Sequence, residues 1–153
     1  MYFANSLGAQ DVIVQGLMDG SIDLSLEFID STYNPVFEVQ SLPFIASNFD
    51  EMEYIFSPGS QVYSLVDKGF SDIGIKLLGV YCEGLTGVSC KNMPESYNTW
   101  DQKKEPIRVW NSAVAKAGMT AMGYNTVAMT WSDTYSSIQT GIVNGSVGQT
   151  SLG

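Results

Sequence analysis

The sequence predicts an α/β fold, and three observations carry that reading. Apolar residues recur at helical spacing in some segments and alternate with polar ones in others, and the two kinds of segment follow one another along the chain. Glycine and proline punctuate the boundaries between them. Hydrophobic residues make up 44% and aromatic residues 12% of 153 residues, which suits a packed core and argues against general disorder.

Over 7–18, Ala9, Val12, Ile13, Gly16 and Leu17 fall on one helical face, and Gly20 stands where a helix-ending glycine belongs. Ile22, Leu24, Leu26 and Phe28 then alternate with Asp23, Ser25 and Glu27, the pattern of a strand. Glu27 lies at its end, where side chains of an α/β sheet face a crevice; a solvated or capping carboxylate is the other reading. Tyr33-Asn34-Pro35 breaks the chain, 36–42 reads as extended, and Pro43 stops it. Phe44 then reads either as a core aromatic or as a ligand contact.

Asp50 and Glu51, with Glu53 three residues after Asp50, read as a helix start. After the break at Ser57-Pro58-Gly59-Ser60, Val62, Leu65, Val66 and Gly69 give another helix face. The segment 75–81 reads as a buried strand, and 83–87 as an interruption where the chain crosses between two lobes. Val88 to Lys91 continues extended, and 92–104 is a polar loop in which Lys103 and Lys104 are read as solvated charges.

From Glu105 the chain turns to chemistry. Arg108, the only arginine, stands in the apolar run Ile107-Arg108-Val109-Trp110, with a helix starting directly after it. A strand end opening into a helix N-terminus favours an anion, through free N–H groups and the helix dipole. The guanidinium adds a planar fork matched to a carboxylate. Asn111 reads either as the cap of that helix or as a donor to the anion. Val114, Ala117, Gly118 and Ala121 form the helix's narrow apolar face, Met122-Gly123 ends it, and 126–129 is a short strand. Ser132 is the expected cap of the next helix, whose Tyr135, Ile138 and Ile142 read as core; Trp131 reads as core or as a ligand-covering aromatic.

Net charge is −9 with no basic run, which argues against a nucleic-acid partner. It does not exclude an anionic ligand, because one arginine acts locally. No apolar run reaches the roughly 18 residues of a membrane span. Histidine is absent, which removes Ser-His-Asp and Cys-His catalysis and imidazole metal sites. The carboxylate pairs Glu51/Glu53 and Asp19/Asp23 fall on solvated or turn positions, with no nucleophile–base pair, phosphate loop or metal cluster beside them. Cys82 and Cys90 lack the spacing of a zinc or redox pair, and they reach disulfide distance only if the chain turns at 84–87.

Residues 105–149 also resemble a known family. IRVW, an Ala-rich helix closed by MGYN, and MTWSDTYSSIQTGIVNG are similar to the core of the extracytoplasmic solute-binding proteins of TRAP transporters. Ser132, Asp133, Tyr135, Ile138, Gln139, Gly141, Val143 and Gly145 stand at matching positions, and Ser41-Leu42-Pro43-Phe44 resembles the family's cleft-side segment. The resemblance implies a periplasmic-binding-protein-like fold with mixed sheets flanked by helices. Residues 1–84 would be part of one lobe and 85–153 part of a second lobe containing the Arg108 site. It implies that a small organic acid is held by Arg108, Asn111, Trp131, Phe44 and Glu27, then delivered to a TRAP membrane permease. No cofactor, catalytic residue or metal is implied, and the location is periplasmic. Met1 to Asn5 lacks the basic start and apolar block of a signal peptide, so the expectation is a mature or truncated chain covering the middle of the family's fold. The sequence departs from the family in two places. Leu85 and Thr86 stand where family members often carry an arginine, which makes a monocarboxylate or a more apolar ligand more plausible, and 143–149 departs from the family's ending with its ligand-binding asparagine, Gln149 standing one place later as the alternative. The alternative is a ligand-sensing domain of a signalling protein with the same fold; an enzyme acting on a small acid is the remote one.

Overall fold

The computed structural model describes residues 6–149. The reading of Met1 to Asn5 lies outside the described residues. The first half is helical. Helix α1, Gln10–Asp19, turns Ile13, Val14 and Gly16 inward and ends at Gly20 in the left-handed region. Val12, expected on that inner face, is exposed.

The segment Ile22 to Phe28, expected as a strand, is not one: Ile22 and Asp23 lie in a bend, the rest has no regular structure, and no strand pairs with it among the described residues. Its Leu24 and Leu26 point to solvent, and only Ile29 beyond them enters the core. Alternation marks a chain able to pair; a ladder also needs a neighbour. The predicted strand 75–81 fails for the same reason. Ile75 and Leu77 pack against the core, while Leu78, Val80 and Tyr81 are exposed.

The expected extended segment 36–42 is instead a 3₁₀ helix, Pro35–Ser41. Its cause is local. Pro35 takes the first helical position, and the Asn34 side chain accepts from Val36 N at 3.1 Å. That winding buries Phe37 against Phe70, with ring centroids 4.7 Å apart. Helix α2, Phe49–Phe56, is capped by Asn48, two residues before the expected start. Glu51 reaches back to Ser47 N at 2.8 Å. Helix α3, Gln61–Asp72, is capped by Ser60. Its Gly69 lets the 3₁₀ helix approach, since a Cβ there would lie 2.2 Å from Val36 Cγ1. Val14, Ile29, Phe37 and Val66 form the buried centre of this half.

The second half is a four-stranded mixed sheet of β1 (Thr86–Cys90), β2 (Pro106–Val109), β3 (Asn125–Ala128) and β4 (Gly145–Gln149), in the order β1-β4-β2-β3. Strand β2 runs parallel to β3 and β4, and β1 is antiparallel to β4. Helix α4, Ala113–Ala121, joins β2 to β3, and α5, Trp131–Thr140, joins β3 to β4. The sequence reading assigned no strand to 145–149, because GSVGQ has almost no apolar content. Yet β4 is paired on both sides, and Gly145 admits β1: a Cβ would sit 2.1 Å from Ser89 O. Ile107, Val109, Met119 and Val147 are the buried centre.

Both helices of this half turn a different face inward than predicted. In α4, Ala115 and Met119 are buried while Ala117 and Ala121 are exposed. In α5, Thr134 and Ser137 are the buried residues, while Tyr135, and Ile142 just after the helix, are exposed. Thr130, not Ser132, occupies the cap position of α5.

Lys103 is a further correction. It is only 3% exposed, and Nζ donates to the carbonyls of Thr99, Asp101 and Met122. The ammonium also lies 4.9 Å from the Tyr124 ring centre. It staples the 92–104 loop to the end of α4. Lys104 is the solvated charge that was expected, with an exposed partner in Glu95. Cys82 and Cys90 are both free thiols.

Candidate functional site

Arg108 sits in β2 between two fully buried neighbours, Ile107 and Val109, and is itself 5% exposed. A charge there needs partners. Nε donates to Met129 O at 3.1 Å, and Nη1 approaches Val147 O at 3.5 Å. Both acceptors are main-chain carbonyls of neighbouring strands, Met129 just past the end of β3 and Val147 in the middle of β4, so the sheet itself aims the guanidinium. The Trp131 ring lies beside it, 5.3 Å from Cζ to the centroid. No carboxylate pairs with Arg108 among the described residues; the three ion pairs found there, Lys68–Asp72, Lys76–Asp67 and Lys104–Glu95, all involve other groups. Burial pushes the Arg108 pKa down. Among the described residues Nη2 has no acceptor, and it is not sealed from solvent, so this edge of the fork is open there.

Trp131, first residue of α5, is 66% exposed, which excludes the plain core reading. Its position follows from β3, whose end delivers Met129 to Arg108 and Trp131 to the same spot. Phe44 is 82% exposed, also outside any core, with a φ of +60° that is rare for a bulky residue. Glu27 is half-buried; burial raises its pKa, against a hydrogen bond from Phe28 N that lowers it, and Glu83 raises it further. Among the described residues, no hydrogen bond or ion pair joins Glu27 or Phe44 to Arg108.

The turn after Arg108 does something the sequence reading missed. Trp110 meets Phe28 edge-on, with centroids 6.5 Å apart, and its Nε1 donates to Ser41 Oγ at 3.1 Å. Asn111 does not cap α4; its Nδ2 donates to Thr32 Oγ1 at 3.0 Å. Ser112 is the cap, accepting from Ala115 N at 3.0 Å. Glu38 of the 3₁₀ helix completes the helix end. Its Oε1 accepts from Ala113 N at 3.0 Å and from Ser31 Oγ at 2.7 Å, and its Oε2 accepts from Ser112 Oγ. Burial pushes the Glu38 carboxyl up, but the hydrogen bonds from Ser112, Ser31 and the Ala113 and Val114 amides outweigh it and hold the group below its ordinary value. The helix end that was expected to receive an external anion already holds an internal one. Further along α4, Gly118 takes Pro43, whose Cγ would lie 2.7 Å from a Cβ there. Residues 110–118 are therefore the seam on which 28–43 docks. No local signal marks Glu38, which stands 75 residues from its amide partner.

Three chemical facts describe the site. A buried cation is held by carbonyls with one edge free, an aromatic face stands beside it, and the turn that follows is braced from the other half of the molecule. No group of acidic, cysteine or histidine side chains able to hold a metal occurs among the described residues, and no helix there is long and apolar enough to cross a membrane.

The chain as a whole is similar to known proteins. The ectoine-binding periplasmic protein TeaA of Halomonas elongata is 23% identical over 152 residues, covering 95% of this chain and 43% of TeaA. A TRAP periplasmic solute-binding protein from Roseobacter denitrificans with bound β-D-glucuronate matches with a TM-score of 0.79 at 22% identity, covering 96% of this chain and 48% of that one. One from Sulfitobacter sp. NAS-14.1 with bound β-D-galacturonate matches with a TM-score of 0.76 at 25% identity, covering 95% and 48% respectively. The chain thus spans under half the length of these relatives, all of which are binding proteins by name. The mixed sheet and its flanking helices are the periplasmic-binding-protein-like fold that the sequence predicts. The description bacterial extracellular solute-binding protein, family 7, fits residues 1–152, and the chain belongs to that family, the TRAP solute-binding proteins.

Proposed function

We propose that this chain carries the carboxylate grip of a TRAP-type solute-binding protein. It binds a small organic acid on the periplasmic side of a membrane and passes it to a permease. The observation that carries this is Arg108: a buried cation aimed by two main-chain carbonyls of the neighbouring strands, with no carboxylate of its own and one edge open among the described residues. An acid would complete it through a charge-assisted pair. The uronates bound by two of the relatives belong to that chemical class.

In this reading Trp131 covers the apolar face of the ligand while supporting the guanidinium. Phe44 and Glu27 reach the ligand from the other lobe. Asn111, whose amide meets Thr32, acts as a brace between lobes and comes to the ligand only through its free carbonyl edge. Residues 1–84 and 85–153 act as parts of two lobes that close when the acid contacts both, since a ligand shifts such an equilibrium only by its differential affinity. The reading needs no chemical step.

The test is thermal unfolding and calorimetry with D-glucuronate, D-galacturonate, L-gulonate and small monocarboxylates. A bound acid at about 100 times its Kd should add roughly 2.7 kcal/mol of stability. Arg108→Ala should lose roughly 1.5–3 kcal/mol of binding or more. Arg108→Lys should also weaken it, because the charge stays and the fork goes. Unchanged affinity in Arg108→Ala would remove the site.

A further inference from the structure

We propose that Glu38 is a specificity-determining residue: it fills the N-terminus of α4 with an internal carboxylate, so that the neighbouring Arg108 site accepts an acid with one carboxylate and disfavours one with two. The ligand part of this rests on the reading of Arg108 just given; the occupation of the helix end does not.

The geometry is specific. Both oxygens of Glu38 are used. One accepts from Ala113 N and Ser31 Oγ, the other from Ser112 Oγ. Asn111, the remaining polar side chain of the turn, is committed to Thr32. The donors of this helix end, which would otherwise suit an anion, are therefore spent. Arg108 and Ser112 are four peptide steps apart, so their Cα atoms lie within about 13–14 Å. A dicarboxylate anchored on Arg108 carries its second charge into the neighbourhood of Glu38. There it meets a like charge in place of free donors. Of the six lysines, Lys68, Lys76 and Lys104 are paired with Asp72, Asp67 and Glu95, and Lys103 is consumed by three carbonyls. Lys91 and Lys116 are exposed, and Lys116, one turn into α4, is the nearest in sequence to this helix end. Selectivity of this kind works by leaving the wrong ligand with an unpaired charge.

Two measurements test it. The first needs no organic ligand: sulfate is titrated into ¹⁵N-labelled protein and the Ala113 and Val114 amide resonances are followed. In the wild type they should not respond saturably. In Glu38→Ala and Glu38→Gln they should, as the vacated helix end takes the ion. A saturable response already present in the wild type overturns the proposal, and this arm stands even if a variant does not fold. Folded variants that give no response also overturn it. The second compares D-glucuronate with D-glucarate, the dicarboxylate of the same carbon skeleton, by calorimetry. The wild type should favour the monocarboxylate, and Glu38→Ala should narrow that preference by about tenfold. An unchanged ratio in folded Glu38→Ala and Glu38→Gln sinks the assignment of specificity. Failure of the Arg108 reading looks different: neither acid binds, or Arg108→Ala leaves both affinities intact, while the sulfate response still reports on Glu38.

Discussion

Arg108 and Glu38 are opposite solutions to one problem, a charge removed from water. Arg108 is held by carbonyl dipoles and an aromatic ring, which offset its desolvation without neutralising it. That is why its open edge remains attractive to an anion. The ring should contribute measurably: Trp131→Ala is expected to weaken acid binding by about 0.5–2 kcal/mol, with Trp131→Phe in between. Calorimetry decides, and equal affinity for all three proteins would leave Trp131 without a part in the site. Glu38 is instead satisfied by four donors, and its pKa is lowered. A carboxyl with a depressed folded value contributes stability that is fully present above the ordinary glutamate value, about 4.3, and is lost as pH falls through the folded one. Glu38→Gln should therefore be less stable than wild type at neutral pH, by about 1 kcal/mol. The gap should close as the pH falls below the ordinary value. Urea midpoints measured from pH 7 to pH 3 check this, and a constant gap across that range would contradict it.

Elements were legible in the sequence where their cause is local. The helices from Gln10, Gln61, Ala113 and Trp131 announce themselves by spacing and by glycines or caps, and β2 by its apolar run. The 3₁₀ helix was legible too, had Asn34-Pro35 been read as a cap with proline at the first position. What could not be read is what depends on a distant partner. The segments at 22–28 and 75–81 have strand patterns but pair with no strand among the described residues, and β4 has neighbours on both sides but no pattern. At the site, Arg108 and Trp131 stand out locally, whereas Glu38 matters only because the 3₁₀ helix carries it to α4. Lys103 was misread for the same reason: nothing in a polar loop foretells three converging carbonyls. Its element-scale role is testable. Lys103→Met leaves the carbonyls of Thr99, Asp101 and Met122 without their donor and should cost about 1–3 kcal/mol. Gly123→Ala attacks the same junction from the backbone. Its φ is +82°, and the added Cβ would lie 2.3 Å from Asp101 O. It should destabilise by at least about 1–2 kcal/mol. Hydrogen exchange should show the loss concentrated in 99–124; protection lost evenly over the chain would contradict the staple.

At the scale of the whole molecule, the described residues form two small buried centres and a seam. Val14, Ile29, Phe37 and Val66 anchor the first, and Ile107, Val109, Met119 and Val147 the second. Cores of this size are marginal alone, because small units bury a smaller fraction of their surface. Each half should therefore draw much of its stability from docking on the other. Trp110 is the residue that does most of that docking. It belongs to the second cluster's margin, lies edge-on to Phe28 and donates to Ser41. The polar contacts around it, Glu38 with Ser112 and Asn111 with Thr32, set the register of the two surfaces but add less apolar burial. Trp110→Ala should consequently do more than lower stability. It should separate the two halves' unfolding, because the cores survive while the surface joining them is lost. Far-UV dichroism, dominated by the helices, and amide signals of β2 and β4 should melt together in the wild type and apart in the variant. Coincident curves in Trp110→Ala would mean that the halves are coupled by something other than this seam. A wild type that already melts in two steps would mean that the seam does not join them at all.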